Sequence, residues 1–302
     1  MTTWTVLTTT WGPHPSVLVG CAALLAAYRE GLRRTGIPVS PTRAAMFAGG
    51  VFVLGFSLVS PLDTLGDSFL FSAHMLQHLL LILAAPPLLL GGLPPPLVDR
   101  LLDYPVLHRL ERVLGNPAIT WSAGIGTLWI WHAPVLYDAA LQYEGIHIAQ
   151  HLSFLVTSAM LWWPVIVAPR SHWRLSVPLA ILYLFAASMA SSILGIILTF
   201  APAGLYPLYL HPAVGISSQA ALVLHVIRTD WGLDPASDQQ LGGLLMWVPG
   251  GLVYLLAVCG ILARWYGEPE SDLPAVWPVP YAEAGSLGLP AATFGQKGTW
   301  DE

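Results

Sequence analysis

The run FLFSAHMLQHLLLILAAPPLLL, Phe69–Leu90, is long and apolar enough to cross a bilayer, yet it holds His74, Gln77 and His78 inside it. About 20 mainly apolar residues span the hydrocarbon core as a helix. An imidazole facing lipid there has neither water nor a hydrogen-bond partner, at a cost of several kcal/mol. These side chains must therefore turn inward, and the chain must supply other helices to receive them. His74 and His78 are one helical turn apart on one face, with Cβ atoms about 6 Å apart. Two imidazoles placed this way suit a metal ion or a haem iron.

The rest of the chain agrees with a membrane setting. Its 302 residues are 55% hydrophobic and only 10% charged, with a mean hydropathy of +0.64. A soluble domain carries about 25% charged residues. The expected fold is all-α, a polytopic helix bundle in the lipid bilayer. The net charge of -5 speaks against a nucleic-acid partner. Cys21 falls in the first expected span and Cys259 in the last, towards opposite membrane faces, so no disulfide is expected.

The apolar pattern predicts seven spans: Pro15–Arg29, Arg43–Val59, Phe69–Leu90, Ala118–Tyr137, Gly145–Ala168, Leu175–Phe200 and Gln240–Arg264. The N-terminus lacks the basic residues that precede a cleavable signal peptide's apolar core. Of the 12 basic residues, Arg228 alone falls on one side of the resulting topology. The other side takes Arg29, Arg33, Arg34, Arg43, Arg100, Arg109, Arg112, Arg170, Arg174, Arg264 and Lys297. Basic residues collect on the cytoplasmic face, which predicts the N-terminus outside and the C-terminus inside. Residues 1–266 then form the membrane domain. Residues 94–117 read as a cytoplasmic interfacial segment broken near Pro105, because charges of both signs alternate with apolar residues there. Residues 201–239 read as an outer loop folded over the bundle mouth. The Pro-, Gly- and acid-rich tail, 267–302, is expected to be disordered.

Topology gathers the histidines. The third and fifth spans run inward, so His74 lies about 8 Å and His78 about 14 Å below the outer surface, and His147 and His151 lie in the first turns of the fifth. The fourth runs outward and ends near His132. These residues of three spans share one outer-leaflet level. Each also has a plainer reading. A lone histidine at a helix end, such as His132, often serves only as an interfacial hydrogen-bonding group. An i, i+4 pair within an apolar span is harder to explain that way, since two polar rings need partners. His14, His211 and His225 read as solvated loop residues, and His108 and His172 as cytoplasmic surface residues. Asp63 and Asp67 either orient a ligand's second nitrogen or cap the third span. Tyr137 and Asp138 admit the same two roles. Met75 and Met246 read as packing residues, and Trp129, Trp131, Trp162, Trp163 and Trp247 as interfacial or packing aromatics. Gly242, Gly243, Gly250 and Gly251 would permit close helix contacts.

Several blocks in order carry a resemblance: SPLDTLGDSFLFSAHMLQHLLLILAAPPLLLGGLP, WHAPVLYDAAL, HIAQHLSFL, WWPV and DQQLGGLLMWVPGGLVYLL. From Val51 to Trp265 the chain resembles the multispan CtaG family, Bacillus-type cytochrome c oxidase assembly factors. The resemblance implies a non-enzymatic, multi-pass protein of the bacterial plasma membrane. Its partners would be haem–copper oxidase subunits and an extracytoplasmic copper donor, and its cargo copper. The family's histidine positions correspond to His74, His78, His132, His147 and His151 as metal ligands. The residues alone leave two alternatives open: a haem-binding electron carrier, or an intramembrane zinc hydrolase. The second lacks a Glu within any span to act as a base.

Overall fold

The computed structural model describes residues 2–12, 14–167, 173–210 and 218–267. His172, His211, Arg170, Lys297 and the tail from residue 268 lie outside them. Met1–Leu262 form one compact unit and Ala263–Glu302 a second, whose described part is the end of the last helix.

Among the described residues all regular structure is helical. In order the helices are α1 Thr3–Thr9, α2 Pro15–Thr35, α3 Pro41–Val59, α4 Pro61–Ser68, α5 Phe71–Leu79, a π segment Leu80–Ala84, and α6 Ala85–Gly92. Then come α7 Pro95–Leu102, α8 Pro105–Leu114, α9 Pro117–Trp131, α10 Pro134–Gln142, α11 Glu144–Ile166 and α12 Val177–Phe200. The last three are α13 Pro207–Leu210, α14 Ser218–Thr229 and α15 Pro235–Gly267. Proline opens most of them. Its missing N–H costs nothing at a helix's first position, and it usually ends a helix before it, although Pro164 and Pro249 lie within α11 and α15.

Among the described residues four stretches are long and apolar enough to cross a membrane: Pro41–Val59, Phe71–Gly92, Val177–Phe200 and Pro235–Gly267. The other three expected spans map onto α2, α9 and α11. The first carries Arg29, Glu30, Arg33 and Arg34 in its last turns, and the third opens with glutamate and two histidines. The fourth expected span is broken. Helix α9 stops at Trp131, after 15 residues or about 22 Å, because Pro134 forces Ala133 out of helical geometry (ψ 127). The chain restarts as α10. The long connection after α12, expected as a loop, builds two further helices, α13 and α14.

The histidine-bearing span is not one straight helix. Pro86 has no N–H to donate to the carbonyl of Ile82, four residues back, and the backbone there widens into the π segment. A carbonyl left bare inside a bundle is expensive. Here the indole Nε1 of Trp162, from α11, donates to the Ile82 carbonyl at 3.1 Å. Trp162 is thus tied to the backbone of the neighbouring span, which the sequence left as packing. A second join binds the start of α5. Asp238 of α15 accepts hydrogen bonds from the backbone N–H groups of Phe71 (2.7 Å) and Ser72 (3.1 Å), and from the Ser72 hydroxyl (2.5 Å). It therefore caps a helix 166 residues away in sequence. Asp63 and Asp67 do not cap that helix. They sit on α4, whose own cap is Ser60.

Two of the glycines that permit close backbone approach are Gly66 and Gly243. A Cβ on Gly66 of α4 would lie 2.9 Å from the Cα of His74, so α4 rests directly on the first turn of α5. A Cβ on Gly243 would collide with the backbone of Thr199, which brings α15 against α12. Gly242 likewise leaves room for the Phe71 ring, whereas Gly250 and Gly251 face ordinary contact distances.

Candidate metal centre

Helix periodicity puts His74 and His78 on one face of α5, and His147 and His151 on one face of α11. The fold turns the two faces together. Ring centroids are 4.3 Å apart for His74–His78 and 4.1 Å for His147–His151. Across the helices they are 5.5 Å for His74–His147, 6.0 Å for His74–His151 and 5.6 Å for His78–His151. His132, at the break that Pro134 makes between α9 and α10, lies 5.7 Å from His78. All five of the sequence-selected imidazoles thus form one contiguous cluster.

The cluster is largely buried and walled by aromatic rings. Tyr137 packs 5.2 Å from His74, and Phe154 4.6 Å from His78. Tyr209 donates to the Gly66 carbonyl at 2.6 Å and accepts from Tyr137 at 3.1 Å. Tyr206 donates to the His132 carbonyl at 2.8 Å. Both of these tyrosines come from the segment expected to fold over the bundle mouth. The sequence placed the segment but did not single them out.

What distinguishes the five rings is their bare nitrogens. Both ring nitrogens of His74 and of His78, and Nε2 of His132, His147 and His151, are buried without a well-formed hydrogen bond. Buried polar atoms are nearly always satisfied, so an orphan calls for an explanation. His132 shows how one arises. A carbonyl can only accept, so the 2.6 Å contact to the Leu128 carbonyl puts the proton on Nδ1. Its Nε2 lone pair is left facing the cluster, the arrangement that a backbone carbonyl imposes on metal-ligating histidines. One nitrogen each from His74, His147 and His151 lie within 4.8 Å of one another, close enough for small ring rotations to bring them onto a common ion. Gln150, also on α11, is fully buried and approaches the His74 ring, though neither amide atom makes a well-aligned hydrogen bond. The HIAQH stretch contains it, but a glutamine between two histidines gives no signal of its own.

Two carboxylates approach from α4. Asp63 is satisfied: it accepts from Gln77 at 2.7 Å and contacts His14 Nε2 at 3.1 Å. That contact gives His14 a partner that the loop reading did not foresee. Asp67 Oδ1 lies 3.3 Å from His147 Nε2 and 3.7 Å from His74 Nδ1, yet makes no well-aligned hydrogen bond. Burial, reinforced by the neighbouring Asp63, pushes its carboxyl up to about 8. A cation binding beside it would take the place of that proton.

The other selected residues lie elsewhere. Met246 is buried and shares a cavity of about 20 Å³ with His78, Ser191 and Tyr254, while His108 pairs with Arg112 on the exposed face of α8. The cavity has room for a single water. Cys21 and Cys259 are free thiols on α2 and α15.

Apolar helices of membrane-crossing length around a buried, unsatisfied histidine cluster define an integral membrane protein with a candidate metal centre. The profile of the cytochrome c oxidase caa3 assembly factors (Caa3_CtaG) matches residues 22–268, and the chain belongs to that family. It is also similar to uncharacterized proteins of Mycobacterium bovis and Mycobacterium tuberculosis, at 25% identity over 268 residues in each case. An uncharacterized protein of Mycobacterium leprae is 23% identical over the same length. The match covers 82% of this chain and 38% of each relative, so the chain spans about two-fifths of the length of these relatives. No solved structure matches it.

Proposed function

We propose that this assembly factor carries copper for a haem–copper oxidase, holding it among His74, His78, His132, His147 and His151 and passing it laterally within the membrane. The observation that carries this reading is the group of five clustered imidazoles, each with at least one buried nitrogen that makes no well-formed hydrogen bond. Neutral imidazole is a ligand for copper, zinc and iron, and copper stands highest among the divalent metals. The family supplies the oxidase, and the histidines supply a means of holding its metal. Donors spread over separate helices can open when the helices shift, which suits a carrier better than a closed cage. The small cavity beside His78 favours a bare ion over a haem macrocycle. No catalytic step is required of the chain.

In this reading the protein lies in the bacterial plasma membrane, with α2, α9 and α11 completing seven spans. The N-terminus is outside, and the histidine cluster lies in the outer leaflet. Residues 94–117 lie on the cytoplasmic interface, and the tail extends into the cytoplasm. A periplasm-active reporter fused after Pro95 should be silent; activity there would overturn the orientation.

The decisive experiment is elemental analysis of the detergent-purified protein and its His78→Leu variant, with oxidase activity of the membranes. Wild type should retain copper and support maturation. His78→Leu should insert normally, because leucine suits the span better than histidine, but lose metal and oxidase activity. Full metal content and full maturation in that variant would show that the α5 pair is structural.

A further inference from the structure

Resting on the metal-carrier reading, we infer that the cargo is taken up as a divalent cation through Asp67, which acts as the entrance ligand to His147 and His74. Exposure falls in steps along one line of residues. The Asp67 side chain is 33% exposed, that of His147 14%, and that of His74 0%. Beyond them His151, His78 and His132 are buried. Asp67 Oδ1 stands 3.3 Å from His147 Nε2 and 3.7 Å from His74 Nδ1, and none of the three atoms makes a well-aligned hydrogen bond. On this gradient the Asp67 carboxyl is outermost, although its Oδ1 is already buried, and the imidazoles of His74 and His78 are innermost.

Two physical points assign the class of ion. Neutral imidazoles contribute no charge, so a cation entering this low-dielectric cluster needs one anionic partner. Asp67 is the carboxylate placed to provide it, since Asp63 is already engaged by Gln77 and His14. The donors at the entrance are also nitrogen and oxygen. Sulfur donors select Cu(I), whereas imidazole and carboxylate suit divalent ions. Cys21 and Cys259 are not part of the entrance, and Met75, buried and adjacent in sequence to His74, projects from a different face of α5.

The test titrates detergent-purified full-length protein with Cu(II), with Zn(II), and with Cu(I) held by bathocuproine disulfonate. Wild type should bind Cu(II) and Zn(II) and compete poorly for Cu(I). Asp67→Asn should weaken Cu(II) binding by at least about tenfold, in the range expected when a group supporting metal ligands is lost. Asp67→Glu should recover part of the affinity, which a folding defect would not allow. Glu30→Gln, the same charge change on exposed α2, should leave affinity unaltered. Unchanged Cu(II) affinity in Asp67→Asn would overturn the entrance role, and tighter binding of Cu(I) than Cu(II) would overturn the divalent assignment. No binding of any ion by wild type would overturn the histidine site itself, and this inference with it.

Discussion

The chain holds two histidine pairs of identical spacing, and the fold gives them different positions. His74 and His78 on α5 are 0% and 1% exposed, sealed by Tyr137 and Phe154, and their helix is held at both ends by other elements. Asp238 caps its start, and Trp162 satisfies the carbonyl that Pro86 leaves bare. The side chain of His147 on α11 is 14% exposed and stands beside Asp67, with His151 one turn deeper. A spacing of four residues produces a pair in both cases. Burial makes one pair the floor of the cluster and the other its rim.

The largest expected effect breaks the floor. His74→Leu removes the ring that meets His78, His147, His151 and Asp67, and should lower Cu(II) affinity by about 100-fold or more, at or beyond the upper end of what losing a group that supports a ligand costs. His147→Leu, at the rim, should cost only about tenfold. Competition titration with a chelator measures both, and equal losses would erase the distinction between floor and rim.

A smaller effect should follow from loosening the floor without touching a histidine. Asp238→Ala strips three hydrogen bonds from the start of α5, next to His74. Loss of a buried cap of this kind costs about 2 kcal/mol or more. The thermal unfolding midpoint should fall, and metal affinity should fall with it, because the first turn of α5 frays. An unfolding midpoint equal to wild type would show that Asp238 is not what holds the helix.

Smaller again is Trp162→Phe, which leaves the Ile82 carbonyl bare at about 1–3 kcal/mol. Its effect should appear as a lower unfolding midpoint with near-normal metal affinity, since the π segment follows the two histidines of α5 rather than containing them. The smallest is His108→Ala, on exposed α8, which should change neither quantity. A metal defect there would mean that histidine loss acts through something other than the cluster.

Much of the site was legible from residue spacing and the direction of the spans. Polar rings at i and i+4 inside an apolar run must face protein, and helices of alternating direction put His132 level with both pairs. The partners of that arrangement were not legible. Asp63 and Asp67 read as caps or orienting groups, but the cap of α5 is Asp238, far along the chain. Hydrogen bonds between residues so distant leave no local pattern. The continuous fourth span failed for a local reason that was visible, Pro134, because its apolar run masked the break.

By itself the sequence determined a helical membrane protein, its family, and the five histidines proposed as metal ligands. Apolar length and helical period are local properties, and a polar ring in lipid is too costly to be incidental. Only the tertiary structure decided that the five rings touch, which nitrogens are bare, and that Asp67 stands at their edge. Those facts depend on how α4, α5, α9 and α11 pack. That packing is set by contacts such as Gly66 on His74, Tyr209 on Gly66 and Trp162 on Ile82, each joining residues that are apart in the chain.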